Sequence, residues 1–211
     1  MKTNDLIALL AHDAPVRINL SQALFHAAIA ATIIAGAAFF GFIGFRVDID
    51  TAVESVRFLF KFVITLALAI TAGSLLFQIG RPGTSLGPWA WWLCLPVALV
   101  ASAVALELLV MPSSTWEARM IGHNARLCLT IIPSLSAFPL ACFLYAMRHG
   151  APERPGVAGA VAGLVSAGIA ATFYAANCND DSPLFVMFWY PMAIAVVCAV
   201  GALFGQKMLK W

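Results

Sequence analysis

The sequence predicts an all-α fold, a polytopic membrane bundle of six transmembrane helices with a short cytoplasmic N-terminal helix. Of the 211 residues, 62% are apolar and only 10% are charged, whereas a soluble domain carries about 25% charged and about 45 to 50% apolar residues. The apolar residues also fall in runs of about 20, the length of a helix that crosses a bilayer. The chain therefore has too little polar surface to cover itself in water.

Six apolar runs, bounded by charged residues, Pro or Gly, account for most of the chain. They cover 22–45, 58–79, 89–111, 126–147, 157–176 and 184–205. Each run can span about 30 Å of hydrocarbon as a helix. We therefore divide the chain into a cytoplasmic N-terminal segment, 1–20, and a six-helix transmembrane domain, 21–211.

The N-terminal segment has the pattern of a short amphipathic helix. Thr3 or Asn4 can cap it with Asp5 in the first turn, and Pro15 ends it. Its apolar strip contains Leu6, Leu9 and Leu10. The segment almost lacks the Lys and Arg typical of helices that lie on membranes, so binding in a groove of a cytoplasmic protein fits at least as well.

The distribution of Lys and Arg indicates the orientation in the membrane. With a cytoplasmic N-terminus, the inner segments hold Lys2, Arg17, Arg81, Arg148, Arg154, Lys207 and Lys210, and the outer ones hold Arg46, Arg57, Lys61, Arg119 and Arg126. The excess of positive charge on the inner side favours this arrangement. We expect both termini in the cytoplasm.

Cys128 and Cys178 are predicted to lie at similar depth on the outer side. The turn between the fourth and fifth helices, 148–155, is short and rich in Gly and Pro, so these helices should form an antiparallel hairpin. Counted from the turn, the two cysteines differ by only a few residues in height, each worth about 1.5 Å. They are candidates for a reversible disulfide or a soft-metal thiolate site, and a structural disulfide is the alternative.

The remaining cysteines, Cys94, Cys142 and Cys198, lie within spans, where cysteine is commonly a small apolar filler. The loop after the fifth helix, 177–183, is the most polar short connection. In it, Asp180 or Asp181 is expected to cap the sixth helix before Pro183, or to help hold a cation beside Cys178.

Glu107 is a carboxylate deep in the third predicted span, which makes it a functional candidate. Its place close to the end of that span favours a contact at the outer interface with Arg119 or Arg126 over a role in transport. Two pairs of glycines with small-xxx-small spacing also occur, Gly159 with Gly163 and Gly201 with Gly205. They favour close packing of helices within one bundle over a homodimer interface.

Several function classes find no support in the sequence. The formal net charge of +2 and the absence of a basic stripe argue against direct nucleic-acid binding. There is no CxxC pair, zinc spacing, hydrolase motif or nucleotide motif, so we expect neither an enzyme nor a resident cofactor. The alternatives are a small transporter or channel, built around Glu107 and the intraspan prolines, and a quinone-linked thiol redox protein.

Three motifs resemble the negative regulator of sigma F family, the six-helix membrane anti-sigma factors of proteobacteria. They are Met1-Lys2-Thr3-Asn4-Asp5-Leu6-Ile7, Gly122 followed by Cys128-Leu129, and Cys178-Asn179-Asp180-Asp181-Ser182-Pro183-Leu184-Phe185 leading into Trp189-Tyr190. Helix number, motif order and loop lengths agree along the whole chain.

The resemblance implies an anti-sigma factor in the bacterial inner membrane that sequesters an extracytoplasmic-function sigma factor. The partner-binding residues would be Thr3, Asp5, Leu6, Ile7, Leu9 and Leu10 of the cytoplasmic segment. Oxidation of Cys128 and Cys178, or metal binding to them, would trigger release, with Asp180 and Asp181 supporting the sensor loop. The lipid bilayer would be the other partner, and stress response the biological setting.

Overall fold

A computed structural model describes residues 19–81, 83 and 87–210. This part of the chain is helical and contains no strand. Its long helices are α1 (Leu20–Phe42), α2 (Val56–Ile79), α3 (Cys94–Val110), α4 (Ala125–Met147), α5 (Pro155–Ala175) and α6 (Pro183–Met208). The N-terminal helix predicted before Pro15 falls outside the described residues.

The helices confirm the six predicted runs to within a few residues. The first helix ends earlier than expected, at Phe42, because the chain turns at Gly44, whose φ of 75° favours glycine. The third run is built in pieces, with a helical turn at Gly87–Ala90 and a 3-10 turn at Trp91–Leu93 before α3. Counting that composite as one, six helices in the described part of the chain are long and apolar enough to cross a membrane.

The six helices alternate in direction, so the bundle has two ends. We call the end that holds the loop after α5, 176–182, the cysteine end. The opposite end is where Leu20 meets Gly80 and where Ala151 N donates to Gly80 O at 3.2 Å. Since α1 begins at the opposite end, the N-terminal segment that precedes it is attached to the bundle there.

Helix α5 lies at the centre of the bundle, packed against α6, α2, α4 and α1. It is the most buried span, because its many Ala and Gly residues let neighbouring backbones approach closely. Helix α3 is the least buried of the six and packs mainly against α6 and α2. Its connection to α4 contains a 3-10 turn, Ser113–Thr115, and a short helix, Trp116–Ile121.

The glycine pairs form the contact between α5 and α6. A Cβ on Gly159 would overlap the Gly201 carbonyl oxygen and would lie 2.8 Å from Gly205 Cα. A Cβ on Gly163 would lie 2.8 Å from Val197 O. The expectation of intramolecular packing is therefore confirmed, and these glycine faces are occupied within the chain.

Candidate functional site

The two cysteines predicted at similar depth belong to one buried cluster at the cysteine end. Cys128 lies on the first turn of α4, where its amide donates to Asn124 O at 2.8 Å. Cys178 follows α5 in the loop. Both side chains are buried, at 0% and 1% exposure, and both are free thiols. Both thiols thus lie within the same buried cluster.

Burial also sets the reactivity of Cys178 in this conformation. Loss of solvent raises the pKa of its thiol, which more than offsets the opposing effect of the nearby Lys61 ammonium. A thiol that stays protonated and lies away from solvent is a poor nucleophile and a poor metal ligand. Burial and the raised pKa of the thiol both disfavour reaction at Cys178 in this conformation.

The prediction that Asp180 or Asp181 caps α6 is wrong. Ser182 caps it, because its hydroxyl oxygen accepts a hydrogen bond from Leu184 N at 3.2 Å, directly before Pro183 at the first helical position. Both aspartates instead make contacts with other helices or connections.

Asp180 caps the helix that carries the other cysteine. Its Oδ2 accepts hydrogen bonds from His123 N at 2.9 Å, Asn124 N at 2.7 Å and Asn124 Nδ2 at 3.1 Å. A carboxylate is stabilised at the positive N-terminus of α4. This clamp holds the Cys178 loop against the first turn of α4.

Asp181 belongs to a buried ionic cluster with two cations. Its Oδ1 lies 2.6 Å from Lys61 Nζ, and its Oδ2 lies 2.8 Å from a guanidinium nitrogen of Arg46. The hydrogen bonds that Arg46 donates to Asp48 and Asp181 raise the pKa of Arg46, and the same guanidinium lowers the pKa of Asp48. Arg46 and Lys61 are almost wholly buried, and the carboxylates of Asp48 and Asp181 lie beside them as the opposite charges that a buried cation requires.

The same two cations also hold the backbone of Cys178. Its carbonyl oxygen accepts hydrogen bonds from Lys61 Nζ at 2.8 Å and from Arg46 at 3.3 Å. Carbonyls left without partners beyond a helix C-terminus favour cations. Both charges also lie near the face of the Phe58 ring, 5.3 and 5.6 Å from its centroid.

A second set of contacts ties the loop to the end of α1. Asn177 Nδ2 donates to Gly44 O at 3.1 Å, and Arg46 N donates to Ala176 O at 3.2 Å. The segment that leaves α1 is thus hydrogen-bonded directly to the two residues that follow α5, Ala176 and Asn177.

Glu107 makes the interfacial contact expected with Arg119, at 3.0 Å. Its other oxygen accepts a hydrogen bond from Ser182 Oγ at 2.9 Å, and Arg57 lies 3.9 Å away. The carboxylate is buried, and both of its oxygens make these contacts. It therefore links α3 to the start of α6 and has a structural role. This geometry does not favour the transporter alternative.

The donor set limits what the cysteine pair can bind. No group of three or more His, Cys, Asp or Glu side chains suited to a metal ion occurs within the described ranges. Two cysteine sulfurs alone supply half of the ligands of a tetrahedral zinc site.

The other three cysteines are distributed along the spans. Cys94 begins α3 at the opposite end of the bundle and is exposed, while Cys142 and Cys198 are partly buried in α4 and α6. Their positions agree with apolar filling of the spans.

Three contributors to the site were not identified from the sequence. Lys61 lies within the second predicted run, 58–79, but was counted only as a positive charge of the outer side, although a lysine in an apolar run is itself a signal for a buried partner. Arg46 carries no local signal, and Tyr174 is an ordinary aromatic residue of a span. The predicted partner-binding residues, Thr3 to Leu10, fall outside the described residues.

The chain is similar to known anti-sigma factors along its length. A family model described as negative regulator of sigma F matches residues 9–211. The chain is 30% identical to the probable anti-sigma-F factor NrsF of Azospira oryzae and 30% identical to the anti-sigma-F factor NrsF of Caulobacter vibrioides, and each alignment covers 100% of both chains. No solved structure shows significant similarity.

Proposed function

The chain belongs to the negative regulator of sigma F family, and from this membership we propose that it is an anti-sigma factor embedded in the bacterial inner membrane. It sequesters an extracytoplasmic-function sigma factor through its N-terminal segment and releases that factor when Cys128 and Cys178 are oxidised or bind a metal. The observation that carries the anti-sigma assignment is the full-length similarity to two proteins of that name.

The two ends of the bundle suit the two proposed roles, sensing at one end and sigma binding at the other. With the inner side assigned from Lys and Arg, the cysteine end faces the periplasm, where thiols can be oxidised and kept so. The N-terminal segment precedes Leu20 and is therefore attached at the cytoplasmic end, where a sigma factor is found.

Deletion of residues 1–18 tests the binding segment. We expect sigma to co-purify with membranes that hold the full chain and to be lost from membranes that hold the truncated chain at equal abundance. A matched pair of full-length variants refines the test, Leu6→Asp on the apolar strip and Lys2→Ala outside it. Sigma retained by the truncated chain would contradict the proposal.

The cysteine pair supplies the proposed trigger. Oxidation joins the two sulfurs as two protons and two electrons leave, the electrons passing to the oxidant. Metal binding instead forms sulfur–metal bonds as the protons leave to water, without electron transfer. Either change favours a conformation in which the sulfurs are held together, and a shift from 1:99 to 99:1 requires about 5.5 kcal/mol.

The contacts of Cys178 provide a route from the trigger to α1. A movement of the Cys178 backbone displaces the carbonyl that Arg46 and Lys61 hold, and it displaces Asn177 from Gly44. These partners lie at the end of α1 and the start of α2. We propose that α1 passes this displacement to the sigma-binding segment at its other end, as a shift between two populated states.

Labelling of Cys128 and Cys178 in intact spheroplasts tests the sensor. The protein carries Cys94→Ala, Cys142→Ala and Cys198→Ala, and the probe is a membrane-impermeant thiol reagent. We expect slow labelling at rest, because both thiols are buried, and loss of that labelling after oxidant or metal. If neither residue labels even after prolonged reduction, the periplasmic sensor is wrong, while the deletion test still decides sigma binding.

A further inference from the structure

Helices α1 and α2 leave a groove between them on the surface of the bundle. The two helices meet where Leu20 contacts Gly80, at the end of the bundle opposite the cysteines. Next to this contact they line a groove of about 490 Å³, and α5 forms its floor. Phe25 of α1 and Ile70 of α2 line it and are 65% and 66% exposed, so the groove opens to the outer surface of the bundle.

The groove has the height of one leaflet of a bilayer. Its lining extends from Ser21 to Thr32 on α1 and from Leu66 to Phe77 on α2. Each stretch rises by about 16 Å, and half of a hydrocarbon core of about 30 Å is about 15 Å. A transmembrane helix of another chain would need a groove that crosses both leaflets. The height therefore favours a lipid chain from the leaflet that lies next to Leu20.

The lining suits an acyl chain. Among the described residues that line the groove, only Ser21 and Thr32 have polar side chains. The Thr32 hydroxyl donates to Ala28 O at 2.8 Å, so it needs no partner from outside its helix. Gly73 leaves room for an occupant, because nothing lies within 4 Å of the position of its Cβ. An apolar groove open to lipid is thus available to a hydrocarbon chain.

A positive charge lies at the end of this groove. Arg81 follows α2, and its guanidinium carbon lies 4.0 Å from the centroid of the Phe77 ring, which lines the groove. This contact with the ring face places the cation beside the groove. In the orientation assigned from Lys and Arg, this end faces the cytoplasm, where anionic lipids make the membrane surface negative. Charge complementarity therefore favours a lipid with an anionic headgroup.

We propose that the groove between α1 and α2 binds one anionic phospholipid of the inner leaflet. One acyl chain lies along α5 between the two helices, and the phosphate group lies at Arg81. This inference rests on the proposed location in the inner membrane and on the proposed orientation. It assigns a bound lipid to the face of the helix, α1, that continues into the proposed sigma-binding segment.

Photo-crosslinking in vesicles tests the site. The full-length protein is reconstituted into phosphatidylcholine vesicles that contain a small share of phosphatidylglycerol with a diazirine in its acyl chain, and mass spectrometry locates the adducts. We expect adducts at Phe25 severalfold more often than at Phe204, the control. Phe204 has the same side chain, is 51% exposed and lies near the same end of the bundle on α6, but it does not line the groove. Unlabelled phosphatidylglycerol should compete for the adducts at Phe25.

Two pairs of variants separate the chain site from the headgroup site. Gly73→Leu fills the groove and should reduce adducts at Phe25 severalfold, whereas the shorter Gly73→Ala should retain most of them. The thermal unfolding midpoint should not fall in either variant, since the new Cβ meets nothing and both residues favour a helix. Arg81→Gln should reduce the preference for phosphatidylglycerol over phosphatidylcholine about fivefold, the effect of one cation near an anionic membrane surface. Lys207→Gln, at the exposed end of α6, should leave this preference unchanged.

The outcomes distinguish this inference from the proposed function. Equal adducts at Phe25 and Phe204, or crosslinked pairs of chains in place of lipid adducts at the groove, would overturn the lipid site. Equal labelling by a phosphatidylcholine analogue, unchanged by Arg81→Gln, would overturn the anionic headgroup. If Gly73→Leu lowers the midpoint, the exposed Arg81→Gln still decides. A lack of adducts on all six long helices would contradict the membrane location itself, while deletion of residues 1–18 decides sigma binding separately.

Discussion

Asp180 decides how the two cysteines meet. Its carboxylate accepts three hydrogen bonds from His123 and Asn124 at the start of α4. Cys178 lies two residues before it, and Cys128 lies on the first turn of the helix that it caps. One side chain thus holds both cysteines at the same level of the bundle.

Gly122 makes this clamp possible. Its φ of 60° is a left-handed conformation, and a Cβ there would overlap the Phe185 ring and lie 2.8 Å from Asp180 Cγ. We predict that Gly122→Ala destabilises the protein by about 2 to 4 kcal/mol, from backbone strain and overpacking together. It should also speed labelling of Cys178, which can be measured with a thiol reagent in detergent.

Gly44 is the matched control for that substitution. It has a similar φ, 75°, but nothing lies within 4 Å of the position of its Cβ. Gly44→Ala should therefore cost only the backbone strain, about 1 to 2 kcal/mol, without exposing Cys178. Equal labelling rates in the two variants would show that the clamp does not control access.

At the scale of whole helices, the contact between α5 and α6 depends on backbones that touch. We predict that Gly159→Val forces these helices apart, because a Cβ there overlaps the Gly201 carbonyl. The loss should be about 3 kcal/mol or more, at the upper end for overpacked cores, measured as a fall in the thermal unfolding midpoint. Gly73→Ala in α2 is the control, since its Cβ would meet nothing; it should leave the midpoint unchanged or raise it.

Helix α3 depends on polar contacts more than the other spans do. Glu107 joins it to Ser182 and Arg119, while much of its remaining surface is exposed. We predict that Glu107→Gln keeps the contact to Ser182 but loses the charge pairing, at a cost of about 1 to 3 kcal/mol in unfolding free energy. The exposed Glu117→Gln should be neutral in the same assay. Unchanged stability of Glu107→Gln would remove the structural role assigned to this carboxylate.

For the whole molecule, the buried cations Arg46 and Lys61 connect the loop after α5 to the end of α1 and to α2. Lys61 holds both the Cys178 carbonyl and Asp181. We predict that Lys61→Met leaves the cysteines able to react with oxidant but reduces the resulting sigma release severalfold, because loop movement no longer displaces α2. Thiol titration and sigma co-purification, measured on the same membranes, separate these two effects.

The control for this prediction is Arg57→Met, one helical turn earlier in α2. Arg57 is more exposed and lies 3.9 Å from Glu107, outside the Cys178 contacts. It should retain both cysteine reactivity and release. Full sigma release from an oxidised Lys61→Met protein would exclude the route through this cation.

The sequence by itself determined the number, bounds and direction of the helices. In a helix that lies in lipid, the backbone polar groups form their hydrogen bonds within that helix. An apolar run therefore predicts a span without any information about the neighbouring helices. The level of Cys128 and Cys178 followed from the same regularity, since the short turn between α4 and α5 fixes the register of the hairpin. The family motifs likewise lie in contiguous residues.

Only the tertiary structure decided which polar groups meet. Asp180 caps α4 and not α6, Lys61 pairs with Asp181, and the Tyr190 hydroxyl has no hydrogen-bond partner among the described residues. The two contacts join residues 50 or more positions apart. Capping and spacing rules, in contrast, describe residues that are a few positions apart in the sequence. A buried charge takes the partner that packing brings to it, so the packing of α2, α4 and α5 settled what local sequence patterns left open.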